Sequence, residues 1–120
     1  MPFNDPQAHL EDILASIEAI ESFLTQVDFP YYCADLKTRS AVERQLQILT
    51  EAAFRLREDA ARLCPTVDWR DVRGLGNALR HEYDFIDDEV IWQAIQTRLP
   101  LLKSAVQNAL KATRNEKDTK

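Results

Sequence analysis

Apolar residues in this chain return every three or four positions along nearly its whole length, a period that fits one face of an α-helix and not the alternation of a strand. Leu10, Ile13, Leu14, Ile17, Ile20, Leu24 and Val27 make the first stripe, with Glu11, Glu18, Glu21 and Ser22 on the other face. Asn4 or Asp5 can cap this helix, and Pro6 suits its first turn. The stripe is expected to end near Asp28-Phe29-Pro30, because the residue before a proline is pushed out of the α region. Residues 29–37, which hold Tyr31, Tyr32 and Cys33, read as a connection.

A second stripe starts near Thr38 or Ser40 and runs through Val42, Leu46, Leu49, Ala53 and Leu56. A continuation or short further helix from Glu58 to Leu63 stops at Cys64-Pro65. Asp68, with Asp71 three residues later, gives a capping-box-like start to a helix over about 69–80. The pattern breaks after His81-Glu82-Tyr83-Asp84 and resumes at Asp87 or Asp88, with Val90, Ile91, Trp92, Ile95, Leu99, Leu102, Val106 and Leu110. Pro100 is expected to bend or divide this last helix. The chain therefore reads as all-α, an antiparallel bundle of four to five helices, with one domain over residues 1–112 and a charged, flexible tail over 113–120. Two glycines and five prolines in 120 residues are too few turn formers for a barrel or sandwich of short strands.

Several function classes fall away. No window approaches the roughly 18 apolar residues of a membrane span, so no membrane partner is expected. Met1-Pro2-Phe3-Asn4-Asp5 lacks a basic region followed by an apolar run, which makes the cytoplasm the expected compartment. Cys33 and Cys64 are isolated thiols, and His9 and His81 are the only histidines. Neither pattern builds a metal site, so no metal and no cofactor are expected.

The net charge of -5 conceals an uneven distribution. Residues 1–36 carry no Lys or Arg, whereas residues 37–80 carry Lys37 and eight arginines, namely Arg39, Arg44, Arg55, Arg57, Arg62, Arg70, Arg73 and Arg80. Such a segment can hold phosphate locally in an acidic protein, or it can supply helix-surface salt bridges.

Trp69 to Asp84 is the informative stretch. Both glycines, Gly74 and Gly76, fall inside one expected helix, where each costs about 1 kcal/mol relative to Ala. Close approach of another helix, access to the backbone or an irregular turn would favour them. Arg73, Asn77 and His81 follow at steps of four, so Arg73 and His81 are separated by about 80° around the helix with Asn77 between them. Arg80 shares the face of Arg73, and Tyr83 lies just beyond. Imidazole moves protons near neutral pH, and guanidinium stabilises charge on a phosphoryl group undergoing displacement. A histidine at a helix C-terminus with dipole-favoured arginines is the structural alternative from spacing alone.

These residues, with others along the chain, resemble the HepT-like toxins of the HEPN superfamily. The resemblance runs from about Asp5 to Leu110. It includes Asp5-Pro6, Leu10-Glu11-Asp12-Ile13, Ala41-Val42-Glu43-Arg44-Gln45-Leu46 and Glu51-Ala52-Ala53. It continues through Trp69-Arg70-Asp71-Val72, Gly74-Leu75, Asn77, His81-Glu82-Tyr83, Val90-Ile91-Trp92 and Leu99-Pro100. What it implies is a HEPN-like helical fold and a metal-independent RNA endonuclease toxin of a type VII-like toxin–antitoxin pair. It also implies a homodimer with one composite cleft, and a cognate minimal nucleotidyltransferase antitoxin that neutralises the toxin by adding AMP to a tyrosine, here Tyr83.

The family motif is Arg, four to six residues, then His-X-Tyr. His81 and Tyr83 match it, but Gly76 stands five before His81, where Arg is usual. On this reading His81 exchanges protons, Arg80 or Arg73 holds the phosphorane charge, and Asn77 orients a partner group. The alternative is a catalytically weakened HEPN-type subunit that binds nucleotide or RNA beside the nucleotidyltransferase.

Overall fold

The computed structural model describes residues 5–81 and 87–118. Aspartate starts most of its helices. Asp5 accepts from the backbone N–H groups of Gln7 and Ala8 at the head of α1 (Pro6–Phe23). Asp28 does so from Tyr31 in α2 (Phe29–Ala34), and Asp35 from Thr38 in α3 (Leu36–Leu56). After α4 (Asp59–Leu63), Asp68 accepts from the Asp71 N–H at 3.2 Å and opens α5 (Trp69–His81). Asp87 caps α6 (Asp88–Thr97), and α7 spans Leu99–Asp118, so its backbone continues as helix into the charged segment from residue 113. Each such cap satisfies N–H groups that have no partner within the helix, a contribution of about 1 kcal/mol.

The expected all-α fold is present, with no strand among the described residues. Five of the seven described helices are long, and α2 and α4 are single short turns between them. The short α2 corrects the reading of residues 29–37 as a connection. Pro30 sits in the first turn, where a helix needs no N–H, so it starts this helix instead of preventing it. Asp35 then ends α2 and caps α3, which begins at Leu36, earlier than Thr38 or Ser40. The first helix also stops sooner than Asp28, at Phe23, with Gln26 in the left-handed region at φ 61°. Leu24 and Val27 still pack on the core from that turn.

The core is the seam between α1 and α3, closed by α7 and α5. Leu10, Ile13, Ile17 and Ile20 of α1 meet a stripe of Val42, Leu46, Leu49, Ala53 and Leu56 on α3, all buried. Leu99, Leu102, Val106 and Ala109 bring α7 onto it. Pro100 divides α6 from α7, as its ring requires, with the Arg98 N–H donating to the Ala94 carbonyl at the break. Cys33 and Cys64 are free thiols, and burial pushes both above the ordinary thiol range. No described helix is long and apolar enough to cross a membrane.

Candidate functional site

The α5 helix is positioned by its two ends and by one glycine. At its start the Trp69 indole N–H donates to the Cys64 carbonyl at 3.0 Å, which fixes the turn from α4. Along its length Leu79 is buried against the core, and α3 is the helix it packs on most closely. The two glycines serve different purposes. A Cβ at Gly76 would lie 3.0 Å from Thr50 Cβ and 3.2 Å from Thr50 Oγ1, tighter than most packed side chains stand. A Cβ at Gly74 would meet nothing within 4 Å.

Gly76 is therefore the point where α5 rests on α3. Thr50 suits the opposite side, because its hydroxyl donates within its own helix to the Leu46 carbonyl at 2.9 Å and lies 3.1 Å from the Gln47 carbonyl. That hydroxyl is satisfied although Thr50 is almost fully buried, and it demands nothing from α5. The position where the motif arginine is usual thus faces a tight, buried helix contact, where any side chain requires Thr50 to give way by a few tenths of an ångström.

A guanidinium reaches the same neighbourhood from one turn later. The exposed Arg80 donates from Nη2 to Asn77 Oδ1 at 2.6 Å, and its Nη1 would lie 3.5 Å from a Cβ at Gly76. The side chain folds back along the helix and carries its charge over the glycine. Of the residues singled out in the sequence, the structure brings Arg80 and Asn77 into direct contact. Arg73 is exposed one turn earlier and bonds to neither of them. His81 is the last residue of α5, one turn beyond Asn77. Its side chain and the whole of Tyr83 lie outside the described residues.

Two concave regions flank α5. The larger, about 480 Å³, is an apolar groove among α3, α5, α6 and α7, lined by Leu46, Leu49, Val72, Leu75 and Leu102 and crossed by a 2.9 Å ion pair between Asp71 and Arg98. It contains none of the motif residues. The smaller, about 360 Å³, is lined by Glu51, Phe54, Arg55, Arg57 and Arg80, and so opens directly beside the Arg80–Asn77 pair. Chemistry and not size selects the second. Sequence spacing does not reveal its α3 half, because residues 51–57 and residue 80 meet only through the tertiary contact at Gly76. The one signal in the sequence is the pair of arginines at 55 and 57 next to an aromatic.

A model of the Ribonuclease HepT-like family matches residues 13–109. Among curated proteins, one from Thermococcus cleftensis named "Probable ribonuclease HepT" is 37% identical over 95 residues, covering 79% of this chain and 86% of that one. Two Methanocaldococcus jannaschii proteins provisionally named as RNases are similar as well. One is 35% identical over 83% of each chain, and the other is 32% identical over 89% of this chain and 98% of its own. No solved structure is significantly similar.

Proposed function

The chain belongs to the HepT-like ribonuclease family, and from that premise we propose that it is a metal-independent endoribonuclease whose phosphate-binding guanidinium is Arg80. The observation that carries the reading is the Arg80 side chain, folded back over Gly76 and held by Asn77 Oδ1 at 2.6 Å, one residue before His81. A glycine at the motif position would otherwise leave the site without its usual cation. Here the residue one turn later supplies the charge, and Asn77 fixes its orientation.

The chemistry needs few groups. The ribose 2′-hydroxyl attacks the adjacent phosphorus, the P–O5′ bond breaks, and the products are a 2′,3′-cyclic phosphate and a 5′-hydroxyl. His81 takes the proton from the attacking hydroxyl and returns one to the leaving O5′. The guanidinium of Arg80 offers planar paired donors to the non-bridging oxygens, whose charge grows in the phosphorane. Arg73, on the same helical face, contributes longer-range attraction. Two copies of the chain form the functional unit, with α5 of each facing a shared cleft. The exposed Gly74 leaves the α5 surface low where a second copy approaches.

Regulation belongs to the same reading. A cognate minimal nucleotidyltransferase adds AMP to Tyr83, two residues past His81, and the new phosphate charge pairs with Arg80 in place of the RNA phosphate. The competing reading, a binding subunit without catalysis, draws on Gly76 alone.

Purified protein incubated with RNA in EDTA tests both readings. Wild type is expected to cleave, a 2′-deoxy nucleotide at the cut site is expected to block cleavage, and His81→Ala is expected to lose ~10²–10⁴-fold in rate with its melting temperature retained. A wild type that binds RNA without cutting it selects the binding subunit. After co-expression with the adjacent nucleotidyltransferase, mass spectrometry should find AMP on the Tyr83 peptide. Tyr83→Phe should escape both the adduct and neutralisation.

A further inference from the structure

The recess between the end of α3 and Arg80 has an unusual composition for a helix surface. Phe54 is 60% exposed, although the adjacent residues Ala52, Ala53 and Leu56 are buried in the core. Arg55, Arg57 and Arg80 surround it, with Glu51 as the one acid. Among the described residues neither Arg55 nor Arg57 makes an ion pair, while Arg39, Arg62 and Arg98 each have a carboxylate partner. Arg57 also occupies the C-cap of α3 at φ 53°, ψ -127°. Glycine relaxes such a left-handed position and a long side chain does not. An exposed ring flanked by unpaired guanidiniums, in a protein of net charge -5, is a surface built for a flat, anionic ligand.

We propose that this recess is the strand-binding subsite for the nucleotide next to the scissile phosphate, with Phe54 stacking its base and Arg55 and Arg57 holding its phosphate. The inference rests on the ribonuclease reading and deepens it. Arg80 forms the shared wall, so a strand whose scissile phosphate lies against Arg80 passes its neighbouring nucleotide over Phe54. Glu51 discourages a second phosphate in the recess. Stacking accepts any base, so the subsite contributes affinity and direction along the strand, with little sequence preference. Phe54, Arg55 and Arg57 are given no part in proton transfer, which makes them binding residues.

The test uses the full-length protein, fluorescence anisotropy with a short single-stranded 2′-O-methyl oligoribonucleotide as probe, and cleavage kinetics on the matching RNA. Phe54→Ala is expected to weaken binding roughly 5- to 100-fold, the range that one base–aromatic stack supplies. In cleavage it should raise KM and leave kcat near wild type. Arg55→Ala combined with Arg57→Gly should flatten the dependence of log Kd on log salt by about 0.7, the contribution of the one single-strand phosphate that the two guanidiniums no longer neutralise. Arg57→Gly alone relieves the left-handed backbone, so weaker binding in that variant cannot be assigned to unfolding. A wild type that cleaves RNA, joined by a Phe54→Ala variant with unchanged KM and unchanged probe affinity, overturns the subsite and leaves the ribonuclease reading intact. A wild type that neither binds nor cleaves RNA overturns both. If Phe54→Ala instead separates a dimer into monomers of undiminished RNA affinity, the recess is a protein contact and the proposal is wrong.

Discussion

Two sets of arginines share this small bundle and have different surroundings. Arg39 lies 3.8 Å from Asp88, Arg62 2.8 Å from Asp59 and Arg98 2.9 Å from Asp71. Arg55, Arg57 and Arg73 make no such pair among the described residues, and Arg80 is held by a neutral amide. In the first set Arg39 links α3 to α6 and Arg98 links α5 to the α6–α7 break, while Arg62 pairs within α4. Of the second set, Arg55, Arg57 and Arg80 gather where α3 ends beside α5, and leave positive charge to meet a ligand on a protein that is acidic overall. A total charge therefore says little about which anion a surface can hold. What matters is which cations lack an internal partner.

The sharpest way to break this comparison is catalytic. Arg80→Ala is expected to lower the cleavage rate about 10²–10³-fold, the usual cost of removing one donor from a charge-stabilising site. Arg98→Ala should stay within about twofold of wild type, because its guanidinium is committed to Asp71. Arg73→Ala should fall between them, since it adds attraction without touching Asn77. Gel-based rates at one RNA concentration well above KM distinguish the three. Equal losses for Arg73→Ala and Arg80→Ala would show that the fold-back of Arg80 has no special role.

Much of the fold is legible in the sequence, and the exceptions share a cause. Aspartate caps and three-to-four spacing announce α1, α5 and α6, spacing alone announces α3 but not its start after Asp35, and Pro100 announces the break before α7. The short α2 is hidden because Pro30 reads as a terminator, and the same ring is equally at home in a first turn. The face shared by Arg73, Asn77 and Arg80 follows from helical geometry. That Arg80, and not Arg73, reaches the ground above Gly76 does not follow, because it depends on Thr50, twenty-six residues away in sequence, crowding position 76. The α3 side of the recess is invisible for the same reason. Local periodicity fixes which face a residue takes, and only packing decides what that face meets.

The glycines extend the comparison from charge to packing, with a smaller effect. Gly76→Ala should destabilise the fold by about 1 kcal/mol, because overpacking typically costs ~1–3 kcal/mol and the better helix former returns about 1. Gly74→Ala should stabilise by about 0.5–1 kcal/mol, since its Cβ enters open space. Urea midpoints at equal slope would report both signs. Gly76→Ala should also disturb the Arg80 fold-back and lower cleavage beyond any change in folded fraction, whereas Gly74→Ala tests dimer approach. A stabilised monomer with impaired dimerisation would mean that Gly74 makes room for the second copy.

The smallest effects belong to the paired arginines, and they differ among themselves. Arg62 and Asp59 sit three residues apart on one exposed turn, so Arg62→Met should cost only about 0.3–0.5 kcal/mol. Arg98 and Asp71 are distant in sequence, and their bridge crosses the apolar groove between α5 and the α6–α7 break. Few other contacts tie α5 to that side, so Arg98→Met should cost more, up to about 1 kcal/mol. Methionine retains most of the aliphatic stem that packs along the groove, which isolates the charge from the packing. Substituting Asp71 would be a poorer test, because it also removes an acid from the first turn of α5, where the helix dipole favours one. Both losses should shrink in about 1 M salt, where the screening length falls to roughly 3 Å. If the Arg98→Met loss persists undiminished in salt, the strap holds α5 by packing and not by charge, and the two arginine sets differ less than their ion pairs suggest.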